Sequence, residues 1–320
     1  MKYLFLAVLG FQSAVFAGAE VCEATLEKPC IVQDSSQASQ PITALRDLQM
    51  ISDWYPGNTR GIEVLHASAS AQPSASGWMD IAHYLATLAD AADKQVLVLD
   101  LRQEIHGYLN GSAITLSDRF NWINLGKTAT EGALAEVQWL EGLASSEVVE
   151  NVLSVRQFRR HEFDAGVSVS VERVQQEPEL FLPLNWRALR LPVTDHRAPL
   201  DETVDRFVSL VDSLPENTWL HLHCRGGKGR TTTFLALLDM LKNADKASFE
   251  DIIERQASIP PFYDLSQIVR ENPELTPWYY ERLRFLQRFY AFAHERFEGY
   301  EGSWTAWKRS HPEVNAEKLT

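Results

Sequence analysis

The sequence has few cysteines and a shortage of positive charge, and both features narrow the possible functions. Its 320 residues include only three cysteines, and 30 Lys and Arg stand against 43 Asp and Glu, which gives a net charge of −13. A protein this acidic is a poor match for nucleic acid or for an anionic membrane surface. We therefore expect no nucleic-acid partner and no stable membrane association, and a polyanionic ligand requires a local basic site.

Long hydrophobic runs are also scarce, and the clearest one is at the N-terminus. Lys2 precedes a hydrophobic stretch that ends near Phe16, and small residues follow, with Ala17 or Ala19 as cleavage points. This pattern is typical of a secretory signal peptide, and the stretch is short for a membrane span. We predict that residues 1–19 are a signal peptide and that the protein is exported, either to a periplasm or out of the cell. A buried N-terminal helix or strand is the alternative.

The three cysteines fall into two groups. Cys22 and Cys30 are eight residues apart in the segment that follows the predicted signal peptide, where an oxidising compartment would allow a disulfide. Cys224 has no cysteine near it in the sequence, and a solitary cysteine in an exported protein is a candidate for chemistry.

The distribution of apolar residues predicts an α/β fold. Residues 79–92 have helical spacing, and the continuous run at 96–99 indicates a buried strand. Residues 167–171 alternate between valine and polar side chains, which is typical of a half-exposed strand. After the signal peptide we divide the chain into a first α/β part (20–103), a β-rich insert (104–185), a second α/β part (186–300) and a C-terminal tail (301–320).

A short loop between a predicted strand (219–223) and a predicted helix (231–242) carries the chemistry. The loop begins at Cys224 and ends at Arg230, and it contains three glycines, Gly226, Gly227 and Gly229. Glycine lets the backbone curl so that successive N–H groups point inward, and the helix N-terminus adds a positive dipole. Such a loop suits a tetrahedral phosphate dianion, and it lowers the pKa of a thiol held inside it.

These residue types predict roles in phosphate transfer. Cys224 would attack phosphorus, and Arg230 would bind two phosphoryl oxygens. Thr231 could donate its hydroxyl to the departing sulfur, and His223 would orient the loop and tune the thiol. The glycine spacing fits neither the dinucleotide-binding loop nor the Walker A loop, which leaves a buried structural cysteine as the alternative. We predict a phosphomonoesterase that works through a phosphocysteine, with no metal and no cofactor.

Residues 223–231 resemble the phosphate loop of the protein-tyrosine-phosphatase superfamily, H-C-x5-R-[ST]. That superfamily needs a general acid, because an alkoxide is a poor leaving group. Asp195 lies 29 residues before Cys224 in a proline-flanked loop, and it is our candidate for this acid and for the later activation of water. The alternative is that Asp195 only caps a turn.

Five further segments resemble the cysteine phytases, the protein-tyrosine-phosphatase-like inositol polyphosphate phosphatases. They are 67–72 (ASASAQ), 100–107 (DLRQEIHG), 121–126 (NWINLG), 193–196 (VTDH) and 289–290 (FY). The resemblance covers about residues 41–295. It implies a central sheet flanked by helices, with the β-rich insert as a small partial barrel. It also implies stepwise hydrolysis of myo-inositol hexakisphosphate and lower inositol polyphosphates, and it leaves the oligomeric state open.

The loop departs from this family at two positions, because Arg225 and Lys228 stand where the family often has an acidic and an apolar residue. Two additional cations beside the phosphate favour a polyphosphorylated ligand. They also resemble the loop of phosphoinositide 3-phosphatases. Thr276 stands at one position where the family supplies a lysine. The further candidates for binding phosphates are Arg46, Arg102, Lys127, His196, Arg197, Arg282 and Arg284.

Two alternatives to a phytase-like activity remain open at this level. The first is a phosphoinositide or protein-tyrosine phosphatase, which liposome binding would help to distinguish. The second is an inactive phosphate-binding module, which would bind inositol hexakisphosphate without releasing phosphate. The joint presence of Cys224, Arg230, Thr231 and Asp195 argues against the second.

Overall fold

A computed structural model describes residues 21–38 and 41–312. The predicted signal peptide, residues 1–19, lies outside the described residues. Within the described ranges, no helix is long and apolar enough to cross a membrane.

The described chain forms two sheets and the helices that cover them. The strands are β1 (Cys30–Ser35), β2 (Arg46–Asp47), β3 (Ala67–Ala71), β4 (Gln95–Arg102), β5 (His106–Leu109), β6 (Ser112–Ser117), β7 (Val148–Ser154), β8 (Val167–Ser170), β9 (Val174–Gln175), β10 (Arg187–Val193) and β11 (Thr218–Cys224). The α-helices are α1 (Met50–Trp54), α2 (Ala75–Thr87), α3 (Ala129–Ala144), α4 (Val155–Arg159), α5 (Asp201–Ser213), α6 (Gly229–Asn243), α7 (Phe249–Ala257), α8 (Thr276–Phe297) and α9 (Trp304–Ser310). The 3-10 helices are Ile62–Val64 and Glu177–Leu184.

The main sheet has five strands in the order β10-β4-β11-β3-β2, and only the β2–β3 pair is antiparallel. Its central strands are buried on both faces, because helices cover each side. Leu97, Leu99 and Leu222 belong to the large core that contains α6, whereas Val96 and Val98 pack with α2. This alternation along each strand assigns every sheet residue to the α6 face or the α2 face.

The second sheet has six strands in the order β8-β7-β1-β6-β5-β9 and curls into a half-barrel. Five of its strands lie within the predicted insert, 104–185, but β1 comes from earlier in the chain and pairs with both β6 and β7. Cys30 and Val32 of β1 are buried against Leu153, and this burial explains why β1 belongs to the half-barrel rather than to the first α/β part.

The described part of the C-terminal tail, 301–312, forms α9 and packs on the main core. Trp304 and Trp307 are buried, and Trp304 contacts the rings of Phe285, Phe289 and Phe292 on α8. The residues of 301–312 are therefore part of the folded unit and not an appended segment.

The structure joins Cys22 and Cys30 in a disulfide, with 5.1 Å between their Cα atoms. The disulfide links Cys22 to Cys30, the first residue of β1. Both cysteines belong to a small buried cluster with Val32 and Leu153. Phe158 of α4 packs against this cluster, so the disulfide lies beneath the half-barrel.

Candidate active site

The Cys224–Arg230 loop leaves the main sheet at the end of its middle strand. β11 lies between β4 and β3, and all but the first of its residues are buried. Cys224 is the last residue of β11 and is 3% exposed, and α6 begins at Gly229. A buried strand that ends at a helix N-terminus places the thiol where backbone N–H groups and the helix dipole converge.

Gly227 makes the tight curl of this loop possible. It has φ +65°, and a Cβ there would lie 2.5 Å from the backbone nitrogen of Ala71, the β3 residue paired with Cys224. At Gly226 a Cβ would meet nothing within 4 Å. Of these two glycines, therefore, only Gly227 is required by close approach to the sheet.

Arg230 is buried and is held by Glu104. Its Nη1 and Nη2 donate to the two carboxylate oxygens of Glu104 at 2.5 and 2.9 Å, in a bidentate pair. Glu104 also accepts from Nε of Arg102 at 2.9 Å. Burial raises the pKa of Glu104, but Arg230 and Arg102 outweigh it and hold that pKa well below its usual range. Glu104 therefore fixes the guanidinium that reaches over the loop.

Asp195 lies against the same guanidinium. Its Oδ1 is 3.2 Å from Nε of Arg230, and its Oδ2 accepts a hydrogen bond from Nδ2 of Asn121 at 2.7 Å. Trp122 donates its indole N–H to the backbone carbonyl of Asp195 at 2.9 Å. Burial raises the pKa of Asp195, but Arg230, His196 and the hydrogen bond from Asn121 together outweigh it, and the net pKa is lowered. The structure thus brings the predicted acid and the predicted phosphate clamp into direct contact.

His223 is fully buried on the α2 side of the sheet and faces a carboxylate. Its Nε2 lies 2.9 Å from Oε1 of Glu177, in the 3-10 helix that follows the half-barrel strands. Burial raises the pKa of Glu177, and His223 then lowers it below its ordinary value. Glu177 was not predicted, because it lies 46 residues from His223 outside any motif.

Comparison with known proteins identifies the fold and the family. The model of the PTP-like phytase family, described as "Inositol hexakisphosphate", matches residues 99–242. A PTP-like phytase from Bdellovibrio bacteriovorus has a solved structure that is 29% identical, with a TM-score of 0.68, covering 87% of this chain and 94% of that one. The chain therefore contains a match to the PTP-like phytase family model and is similar in fold to PTP-like phytases over most of its length. The expected α/β fold with a partial barrel is confirmed as well.

Other PTP-like phytases and a curated protein are also similar. The myo-inositol phosphatase of Mitsuokella multacida, solved in complex with myo-inositol-(1,3,4,5)-tetrakisphosphate, is 30% identical with a TM-score of 0.78, covering 88% of this chain and 48% of that one. The effector protein hopD2 of Pseudomonas syringae pv. tomato is 32% identical over 66% of this chain and 45% of its own length. The chain spans about half the length of these two relatives.

Two of the cations that we predicted to bind substrate already have partners within the protein. Nε of Arg225 donates to Asp34 of β1 at 2.7 Å, and its Nη1 donates to Asn121, the residue that also bonds to Asp195. Arg102 is 0% exposed and donates to Asp34 at 3.2 Å and to Glu104. Much of the hydrogen-bonding capacity of both guanidinium groups is thus used within the protein, and their role in substrate binding stays a prediction.

Arg46 is a third predicted phosphate ligand whose donors are used within the protein. It is 1% exposed, donates to the carbonyl of Ala44 at 2.8 Å and to the hydroxyl of Thr232 at 3.2 Å, and is thus enclosed beneath the loop. Both of these donors are used within the protein, so the contacts of Arg46 do not support its assignment to the outer phosphate ligands.

Lys228 is part of the loop, and Arg282 lies beside it. Arg282 of α8 is buried between Tyr263 and Tyr279, with its guanidinium carbon 5.4 and 5.1 Å from the two ring centroids. Its Nη1 is 3.1 Å from where a Cβ of Gly229 would stand. Lys228 is exposed, and no ion pair to it exists among the described residues. These two cations remain available to a ligand at the loop.

The remaining predicted cations lie further out or are partly occupied. Arg284 is exposed, and because it is two residues from Arg282 it faces another side of α8. Lys127 is exposed and donates to Asn124 at 2.9 Å. Arg197 stacks on Trp278, 3.7 Å from the ring centroid. The role of these three in phosphate binding stays a prediction.

His196 follows the predicted acid in an unusual backbone conformation. Its φ of +66° is in the left-handed region, which few non-glycine residues adopt. Its Nδ1 lies 3.4 Å from the hydroxyl of Tyr279, and its Nε2 lies 3.8 Å from Asp195. The strained turn thus holds the imidazole beside both the acid and the aromatic side chains near Arg282.

Exposed arginines on α4 were missed at the sequence level. The ring of Phe158 on α4 lies 5.7 Å from the guanidinium of Arg225, so α4 packs beside that side chain. The exposed arginines of this segment are Arg156, Arg159 and Arg160. The signal was present in the sequence as a basic cluster, VRQFRR, but nothing local to it indicated proximity to Cys224.

Among the described residues, one cluster of three side chains has the donors for a metal ion: Asp100, His106 and Glu177. Asp100 already pairs with Nε of Arg190 at 3.0 Å, and Glu177 pairs with His223. Since Arg190 and His223 already occupy these carboxylates, the cluster is better described as part of the buried network between the two sheets.

Proposed function

We propose that the protein is a cysteine-dependent phosphatase that hydrolyses inositol hexakisphosphate and lower inositol polyphosphates in steps. The observation that carries this proposal is the contact of Asp195 with Arg230 at the end of the Cys224 loop. It places an acid, a phosphate clamp and a nucleophile around one site. The family match and the Mitsuokella complex with an inositol tetrakisphosphate support the choice of substrate class.

The first step is attack of the Cys224 thiolate on phosphorus. The S–P bond forms as the P–O bond of the ester breaks, while Arg230 and the loop N–H groups stabilise the phosphoryl oxygens. Asp195 gives its proton to the departing inositol oxygen, which leaves as a neutral hydroxyl.

The second step is hydrolysis of the phosphocysteine. The Asp195 carboxylate takes a proton from water as the water oxygen bonds to phosphorus. The S–P bond breaks, inorganic phosphate leaves, and the thiolate and protonated Asp195 are restored. The Thr231 hydroxyl is buried and has no hydrogen-bond partner among the described residues, so it is available to donate to the sulfur as it departs.

Substrate binding itself helps to protonate Asp195. Without phosphate, Arg230 lowers the pKa of Asp195 and keeps it a carboxylate. A bound phosphate dianion neutralises the guanidinium and adds negative charge beside the acid, and both effects raise its pKa. The acid therefore gains its proton where a leaving group is present to receive it.

Cations around Cys224 supply contacts for the other phosphates of the inositol ring. Lys228 and Arg282 lie nearest to the loop, and His196 lies beside the acid. The exposed arginines of α4 add further positive charge on the far side of Arg225. A local cluster of this kind offsets the repulsion that a net charge of −13 exerts on a polyanion.

We also propose that the enzyme acts outside the cytoplasm. The Cys22–Cys30 disulfide supports this, because disulfides persist in oxidising compartments and are rare in the cytosol.

The test is release of phosphate from inositol hexakisphosphate in the presence of EDTA, by the wild-type chain and by Cys224→Ser. We expect stepwise release by the wild type alone. An aryl phosphate, a phosphoinositide and a phosphotyrosine peptide serve as comparison substrates. Cleavage of these without any release from inositol hexakisphosphate would overturn the substrate class, and turnover by Cys224→Ser would overturn the nucleophile.

A further inference from the structure

Arg46 and Cys224 lie on the same face of the main sheet. Arg46 of β2 pairs with Ala69 of β3, and Ala69 pairs with Leu222 of β11, two residues before Cys224. Paired residues in adjacent strands share a face, and so do residues two apart along a strand. Arg46 and Cys224 therefore both point toward α6.

The contacts of Arg46 locate it under the first turn of α6. Its Nη2 donates to the hydroxyl of Thr232, two residues after Arg230. Its neighbour Asp47 points the other way and accepts a hydrogen bond from Tyr84 of α2. The guanidinium thus reaches beneath the phosphate loop and is closed off from solvent.

Arg46 has no carboxylate partner among the described residues, although it is 1% exposed. Its hydrogen bonds go to a carbonyl and a hydroxyl, which carry no charge. Burying a cation without a counter-charge is costly, and buried charges in proteins are therefore normally paired. The anion that meets this requirement on the α6 face is the thiolate of Cys224.

We infer that Arg46 is the buried counter-cation of the Cys224 thiolate, a positioning residue that acts on the nucleophile and not on the outer phosphates. This inference rests on the proposed role of Cys224 but not on the choice of substrate. Burial lowers the pKa of Arg46 to about 10, and the negative charge of Cys224 opposes that shift. Because electrostatic coupling is reciprocal, Arg46 stabilises the thiolate to the same extent.

The experiment measures the rate at which iodoacetamide alkylates Cys224 as a function of pH, without any phosphate ester. Cys22 and Cys30 are joined in a disulfide, so Cys224 is the free thiol of the chain. We expect Arg46→Met to move the midpoint of the alkylation profile upward by about one pH unit. Arg46→Lys keeps a cation and should move it less.

Arg284→Met is the matched control, because it removes an exposed arginine and changes the net charge equally. It should leave the midpoint in place. If Arg46→Met does not fold, Thr232→Val releases the guanidinium from its anchor and should produce a smaller upward shift. An unchanged midpoint in folded Arg46→Met overturns the inference. If Thr232→Val has to replace that variant, an unchanged midpoint in Thr232→Val overturns it. A higher KM for inositol hexakisphosphate with an unchanged midpoint would place Arg46 on the substrate instead.

Because no phosphate ester is present, this result is independent of the proposed activity. An upward shift supports the role of Arg46 even if inositol hexakisphosphate proves not to be a substrate.

Discussion

Oδ1 of Asp195 lies 3.2 Å from Nε of Arg230, so the proposed acid and the proposed phosphate clamp are partners of each other before any substrate arrives. Asn121 holds the second oxygen of Asp195 at 2.7 Å, and the same amide accepts a hydrogen bond from Arg225 of the phosphate loop. Glu104 holds the other side of Arg230. The acid loop and the phosphate loop are therefore joined by short polar contacts. Substitutions of the residues that make these contacts test the proposed catalytic roles.

Replacing Asp195 by Asn should slow alkyl phosphates far more than activated aryl phosphates. An inositol oxygen needs a proton to leave, whereas a nitrophenolate does not. Loss of general acid catalysis typically costs about 10²- to 10⁴-fold, so kcat/KM for inositol hexakisphosphate should fall by that amount. The measurement is kcat/KM for this substrate and for p-nitrophenyl phosphate. Equal losses on the two substrates would show that Asp195 is not the acid.

Replacing Glu104 by Gln should destabilise the fold at neutral pH. The substitution removes the anion between Arg230 and Arg102, and breaking a buried ion pair typically costs about 3–5 kcal/mol. Urea denaturation near pH 7 would measure the loss in the free energy of unfolding. Activity should fall as well, because the guanidinium of Arg230 loses its bidentate anchor.

The same variant has a defined pH dependence. The pKa of Glu104 is lower in the folded protein than in the unfolded chain, so its stabilising contribution is present above the unfolded pKa of about 4.3. As the pH falls, the unfolded chain binds a proton first, and the contribution is lost. The gap in stability between wild type and Glu104→Gln should therefore be widest near neutrality and shrink below about pH 4.3. A gap that is constant across this range would contradict the assignment.

Gly227→Ala and Gly226→Ala form a matched pair in the phosphate loop. At position 227 a Cβ meets the backbone of β3 at 2.5 Å on a residue with φ +65°, whereas at 226 it meets nothing within 4 Å. A displacement of about 1 Å in a catalytic loop can cost about 10²-fold in rate, and we expect a loss of that order for Gly227→Ala. Gly226→Ala should behave like the wild type. Similar kinetics for the two variants would show that the loop tolerates a side chain against β3.

The residues that meet at the candidate active site could be predicted because their chemistry depends on local spacing. Cys224 and Arg230 are six residues apart in one loop, and a glycine-rich turn into a helix has few other uses. Asp195 was found through a motif and a strand-end position. The backbone determines where the short side chains of Cys224 and Asp195 lie, whereas the guanidinium of Arg230 also depends on Glu104.

The directions of long side chains were not predictable in the same way. Arg225 follows the nucleophile directly, yet it turns toward Asp34, which is 191 residues away in sequence. Only the pairing of β1 with the half-barrel brings that carboxylate near, and nothing around Asp34 indicates it. Glu177 could not be predicted for the same reason, because its partner His223 is distant in sequence. A charge beside a catalytic residue in sequence predicts proximity to the site but not which partner it meets.

Arg225 and Lys228 therefore offer a direct test of which loop cation binds the substrate and which one stabilises the fold. Arg225→Met leaves the buried carboxylate of Asp34 with one arginine fewer, so the free energy of unfolding should fall by about 3 kcal/mol and kcat should fall with it. Lys228→Met removes an exposed cation without an ion pair among the described residues, so stability should not change. Its KM for inositol hexakisphosphate should rise, and the rise should shrink at high salt, because exposed charges are screened. Urea denaturation and kinetics at two salt concentrations would separate the two cases. If Arg225→Met instead raises KM in a salt-dependent way at unchanged stability, then Arg225 binds the substrate, and its pairing with Asp34 must open when the polyanion enters.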